Sequence, residues 1–88
     1  MSVSKKQLDW FCRVVNGMFQ ETHPEYKNGY GIKDGIYEAY MIDCANGGYR
    51  VDFVSYDSTG HEPVYDCRGT KEMAFAILHG IYDGMVRS

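Results

Sequence analysis

The chain has 88 residues, 44% of them hydrophobic and 15% aromatic, with a formal net charge of −3. One small domain over residues 1–88 is expected, and the apolar content excludes a disordered chain, which lacks the surface to offset its own entropy. No apolar run approaches the roughly 18 residues of a membrane span, and the N-terminus has no apolar signal core, so a soluble cytoplasmic protein without a membrane partner is expected. Cys12, Cys44 and Cys67 are widely spaced and odd in number, a pattern for reduced, mostly buried thiols rather than a disulfide framework.

The first predicted element is a helix. Ser4 and Gln7 have the S-x-x-Q form of a capping box. Leu8, Phe11, Cys12, Val15, Met18 and Phe19 then recur at three- and four-residue steps, the stripe of an amphipathic helix. Trp10 and Val14 lie off the stripe; they widen the buried face or mark a contact. Residues 20–35, QETHPEYKNGYGIKDG, carry Pro24, Gly29, Gly31 and Gly35 and read as a long irregular segment. Loops of that length are functional or mobile.

Residues 36–68 read as a three-strand meander. Asn46-Gly47 suits a two-residue type I′ turn, and residues 58–60 a three-residue loop with Gly60 left-handed. These turns set Tyr40 opposite Phe53, Ile42 opposite Val51, and Asp43 opposite Arg50. They also set Phe53 opposite Tyr65, Val51 opposite Cys67, Val54 opposite Val64, and Asp52 opposite Asp66. One face then gathers Tyr40, Ile42, Cys44, Tyr49, Val51, Phe53, Tyr65 and Cys67, as a half-buried sheet requires. The last helix starts after the cap candidate Thr70, with Glu72 in its first turn and a stripe of Ala74, Ile77, Leu78, Ile81 and Met85. The expected architecture is an α+β two-layer sandwich, with both helices on the apolar sheet face.

This helix–meander–helix order is similar to that of double-stranded-RNA-binding domains, in topology over most of the chain. Those domains grip phosphates with a lysine-rich start to the last helix. Here that start reads GTKEMAFAIL, with Lys71 its only lysine. Residues 34–66 hold seven carboxylates against Arg50 alone, a surplus of six negative charges. A phosphate-binding face needs cations, so no direct nucleic-acid binding is expected. His23, His61 and His79 lack metal-ligand spacing, so no metal is expected. No nucleophile–base set, P-loop or dinucleotide fingerprint is present, so neither an enzyme nor a cofactor is expected.

The open face of the meander is expected to carry Tyr37, Met41, Val54, Tyr56 and Val64, interleaved with Asp43, Asp52, Glu62, Asp66, Arg50 and Arg68. Tyr, Met and Arg are enriched in interface cores. The partner-binding set is accordingly Tyr37, Met41, Asp43, Asp52, Val54, Tyr56, Glu62 and Asp66. It faces a protein with a basic surface, such as a nucleic-acid-handling protein or a toxin. The expected role is a non-catalytic inhibitor of the phage or mobile-element kind that includes anti-CRISPR proteins. A toxin-neutralising immunity protein and an RNA-binding-fold interaction or homodimerisation module are the alternatives.

Overall fold

Two helices pack on one face of a three-stranded antiparallel sheet, with a short hairpin beside them. The computed structural model describes residues 3–26, 31–54, 60–65 and 68–87. Helix α1 spans Lys5–Thr22. Its start is fixed by the capping box: Ser4 Oγ accepts from the Gln7 N–H at 3.1 Å, and Gln7 Oε1 accepts from the Ser4 N–H at 2.9 Å. Its end is closed by the His23 N–H on the Phe19 carbonyl, just before Pro24 opens a 3-10 turn over Pro24–Tyr26.

The irregular segment expected at 20–35 is more ordered than its composition suggests. Helix α1 runs on to Thr22, and strands β1, Ile32–Lys33, and β2, Ile36–Tyr37, form a hairpin. Asp34 and Gly35, at φ +52° and +81°, make its two-residue turn. An Asp-Gly pair tolerates that conformation, as Asn46-Gly47 does at φ +51° and +74° in the next hairpin. The meander therefore begins later than expected. It consists of β3 Tyr40–Ala45, β4 Gly48–Val54 and β5 His61–Pro63, in that spatial order.

The β3–β4 register is the expected one, including Tyr40 opposite Phe53 and Asp43 opposite Arg50. The β4–β5 register is not. Asp52 lies opposite Pro63, Phe53 opposite Glu62 and Val54 opposite His61. That is three residues out of the expected pairing, and an odd slip exchanges the two faces of a strand. The expected alignment returns only at an isolated bridge between Tyr49 and Gly69. Five residues separate Pro63 from Gly69, whereas two separate Asp52 from Tyr49, so the surplus is absorbed there. Asp52 therefore faces Pro63. Tyr56, Asp66, Cys67 and the loop around Ser58 lie outside the described residues.

Helix α2, Lys71–Arg87, is capped by Thr70, whose Oγ1 accepts from the Met73 N–H at 3.1 Å. One core joins Leu8, Phe11, Cys12 and Val15 of α1 to Val51 of β4 and to Ala74 and Leu78 of α2. A second joins Phe19 to Tyr37 and Ala39. At the sheet edge Asn16 replaces a missing strand. Its side-chain amide donates to the Tyr40 carbonyl at 2.9 Å, and its Oδ1 accepts from the Tyr40 N–H at 2.7 Å. Val3 is tied to α2 by its N–H on Glu72 Oε2 at 2.7 Å, the main cause that lowers the Glu72 pKa.

Gly80 and Gly84 sit exposed within α2, and a Cβ added at either meets nothing within 4 Å. Gly80→Ala and Gly84→Ala are each expected to stabilise the fold by about 0.5–1 kcal/mol. A higher urea midpoint at unchanged m-value is the check; a lower midpoint would show that the helix needs these glycines.

Candidate functional site

Arg50, Asp52, Asp43 and Arg68 form one charge network on the sheet face away from the helices. Asp52 is 2% exposed. Arg50 reaches it in a fork, Nε to Oδ1 at 2.7 Å and an Nη to Oδ2 at 3.1 Å. The same guanidinium meets Asp43 Oδ2 at 3.1 Å. Arg68 crosses from beyond β5 to Asp43 Oδ2 at 2.7 Å and to the Asp43 carbonyl at 3.1 Å. Gly48 lets it cross, because a Cβ there would lie 2.7 Å from Arg68 Cβ. Two carboxylates and two guanidiniums cancel, so these acids present no net charge to a partner. Bidentate pairs of this kind fix geometry as well as charge.

The other expected contact residues scatter. Tyr37 is fully buried in the second core rather than on an open face, because β2 belongs to the separate hairpin. Val54 is buried, and Met41 and Asp43 are half-buried. Glu62 is exposed but opposite Phe53, so the register slip turns it to the helix side of the sheet. The structure does not assemble Tyr37, Met41, Asp43, Asp52, Val54 and Glu62 into one accessible surface. The expectation that Cys44 is buried is also corrected: it is exposed near the end of an edge strand.

Cys12 behaves as expected. Its Sγ donates to the Tyr40 carbonyl at 3.2 Å, and burial, aided by Asp9 and Glu38, raises its pKa to about 12. A thiol held protonated is a poor nucleophile. With iodoacetamide at pH 8, peptide mapping is expected to find Cys44 alkylated in the native protein and Cys12 only after unfolding. Equal labelling of the two would contradict the buried placement.

The most exposed large apolar side chain among the described residues is Trp10, at 63%. Its position, one step past Asp9 on α1, points it away from the stripe that meets the core. Lys6 and Arg13 share that outer face, and Arg13 is steadied by Asp34 Oδ2 of the hairpin turn at 3.0 Å. Trp10 also forms one rim of a groove of about 450 Å³ between α1, the β1–β2 hairpin and β3. Arg13 and Asn16, Lys33 and Ile36, and Tyr40 and Met41 line it from those three elements. Among the described residues no cluster of His, Cys, Asp and Glu is arranged to hold a metal ion, and no helix is long and apolar enough to cross a membrane. Searches against protein families, curated proteins and solved structures find no match to this chain.

Proposed function

We propose that the protein is a stoichiometric protein-binding inhibitor that works in the cytoplasm and anchors on its target through Trp10. The exposure of Trp10 carries this reading. An indole left 63% in water contributes little to folding, yet tryptophan is the residue type most enriched among interface hot spots. A net charge of −3 favours encounter with a basic surface over a nucleic acid. The charge of the whole chain supports this choice rather than the Trp10 face itself, which carries Lys6 and Arg13, the latter paired with Asp34. On that ground the target is a basic nucleic-acid-binding groove and the biological setting a phage or mobile-element inhibitor of the anti-CRISPR kind.

Trp10 is the only tryptophan in the chain, so 5-fluorotryptophan gives a single fluorine resonance. Titration with RNA-guided nuclease complexes is expected to shift that resonance and to stop DNA cleavage at one-to-one stoichiometry. Trp10→Ala is expected to weaken inhibition by at least about tenfold, as loss of an anchor does. Full inhibition by Trp10→Ala would reject the anchor. Neutralisation of a basic toxin, with no nuclease inhibited, would replace this reading by the immunity-protein one.

A further inference from the structure

β3 is an outer strand that runs in unbroken register from Tyr40 to Ala45 and carries neither proline nor lysine. A strand of that kind is open to pairing with another chain unless a helix or loop covers it. In a hairpin closed by a two-residue turn, Ala45, Asp43 and Met41 exchange bonds with β4, and Tyr40, Ile42 and Cys44 direct their N–H and C=O groups outward. At Tyr40 the side chains of one helix take these groups. Asn16 Oδ1 accepts from the Tyr40 N–H at 2.7 Å, and Asn16 Nδ2 donates to the Tyr40 carbonyl at 2.9 Å. Cys12 Sγ, one turn earlier on α1, donates to the same carbonyl at 3.2 Å. Both lone pairs of that carbonyl are then used.

We propose that Asn16, with Cys12, guards this edge: the two side chains occupy the Tyr40 backbone and so keep a strand of another molecule from adding to β3. An amide suits that task because it offers a donor and an acceptor side by side, as a neighbouring strand does. The residue type is otherwise unfavourable at this position. Asn16 is 3% exposed within the apolar stripe of α1, where a leucine would bury more apolar surface and has the higher helix propensity. The approach to the edge agrees. Trp10 and Arg13 of α1 and Lys33 and Ile36 of the hairpin line the groove that an incoming strand would have to enter. With Tyr40 closed, the outward stretch that remains is Ile42 and Cys44, and the Asn46-Gly47 turn ends it. That remnant is shorter than the roughly 5–6 residues of an ordinary strand. The inference concerns the sheet edge alone and is independent of the proposed function.

Sedimentation velocity in the presence of a reductant is the test. Asn16→Leu removes both amide bonds at little change in volume. It is expected to self-associate at a concentration at least about tenfold below any at which the parent does so, with a gain of β-sheet signal in circular dichroism. Asn16→Ala opens the same groups and is read in the same way if leucine disturbs the packing of α1. Two comparisons separate an opened edge from a general loss of stability. Val15→Ala removes core packing but leaves the Tyr40 bonds in place, and at an equal fraction unfolded, set with urea, it is expected to stay monomeric. Cys44→Lys puts a cation on the exposed edge, so Asn16→Leu/Cys44→Lys is expected to be monomeric again while no more stable than Asn16→Leu. Asn16→Leu and Asn16→Ala that associate no more than the parent overturn the proposal. So does self-association that Val15→Ala shares or that Cys44→Lys fails to relieve.

Discussion

Asp52→Lys is expected to lower the melting temperature by at least about 15 °C or to leave the protein unfolded. Asp52 has the appearance of a surface residue in the sequence, alternating with Val51 and Phe53. In the fold it is 2% exposed and held by the Arg50 fork. A lysine there would place a buried cation against Arg50 and remove half the charge that keeps Arg50 in place. Breaking a buried pair from one side typically costs about 3–5 kcal/mol. A domain of this size has roughly 4–13 kcal/mol in total. Replacing both members by apolar residues removes the unpaired charge, so Arg50→Met/Asp52→Leu is expected to recover much of the loss, with Asp43 still held by Arg68. Thermal unfolding followed by circular dichroism reads both variants. A melting temperature unchanged by Asp52→Lys would mean that this face is open to water.

Tyr37→Ala is expected to cost about 3–5 kcal/mol, the usual range for removing a large buried ring. Tyr37 joins three parts of the chain. Its ring lies 6.0 Å from that of Phe19 on α1 and 5.3 Å from that of Tyr26 in the 3-10 turn. Its N–H donates to Gln20 Oε1 at 2.9 Å, and its hydroxyl to the Val54 carbonyl at 3.4 Å. Tyr37→Phe removes only the hydroxyl and is expected to cost about 0.5–1.5 kcal/mol. Hydrogen exchange is expected to show the β1–β2 hairpin losing protection first in Tyr37→Ala, with α2 protected longest. Uniform loss of protection would show that the hairpin is not a separate unit of stability.

The helices were legible because their signals are local and long. The Ser4–Gln7 box and the stripes of α1 and α2 each extend over several turns, and the packing follows them. The β3–β4 register was legible because Asn46-Gly47 admits one turn geometry. The Asp34-Gly35 hairpin carries the same kind of signal, but its strands are two residues each, too short for alternation to show. The β4–β5 register failed for a different reason. A turn at Ser58–Gly60 gives an all-apolar face, whereas the slip of three residues puts Glu62 opposite Phe53 and Val64 beside Val51, a pairing that alternation alone does not favour. The Val64 N–H on the Val51 carbonyl at 2.9 Å is the bond that decides between them. From that slip comes the loss of the expected binding surface, since Glu62 changes face. Asn16 carried a readable signal: a polar amide inside the Cys12–Phe19 stripe has to find partners when buried. The partners themselves, the two backbone groups of Tyr40, follow only from the placement of α1 over the sheet edge.

The central claim is that the sheet's charges serve the fold while the outer face of α1 serves recognition. Cross-saturation NMR on the labelled protein bound to its target tests this most directly, because it reports which amides touch the partner. The account predicts saturation centred on Lys6, Trp10 and Arg13, with Met41, Asp43 and Asp52 unaffected. Saturation centred on Met41, Asp43 and Asp52, with Trp10 unaffected, would contradict it.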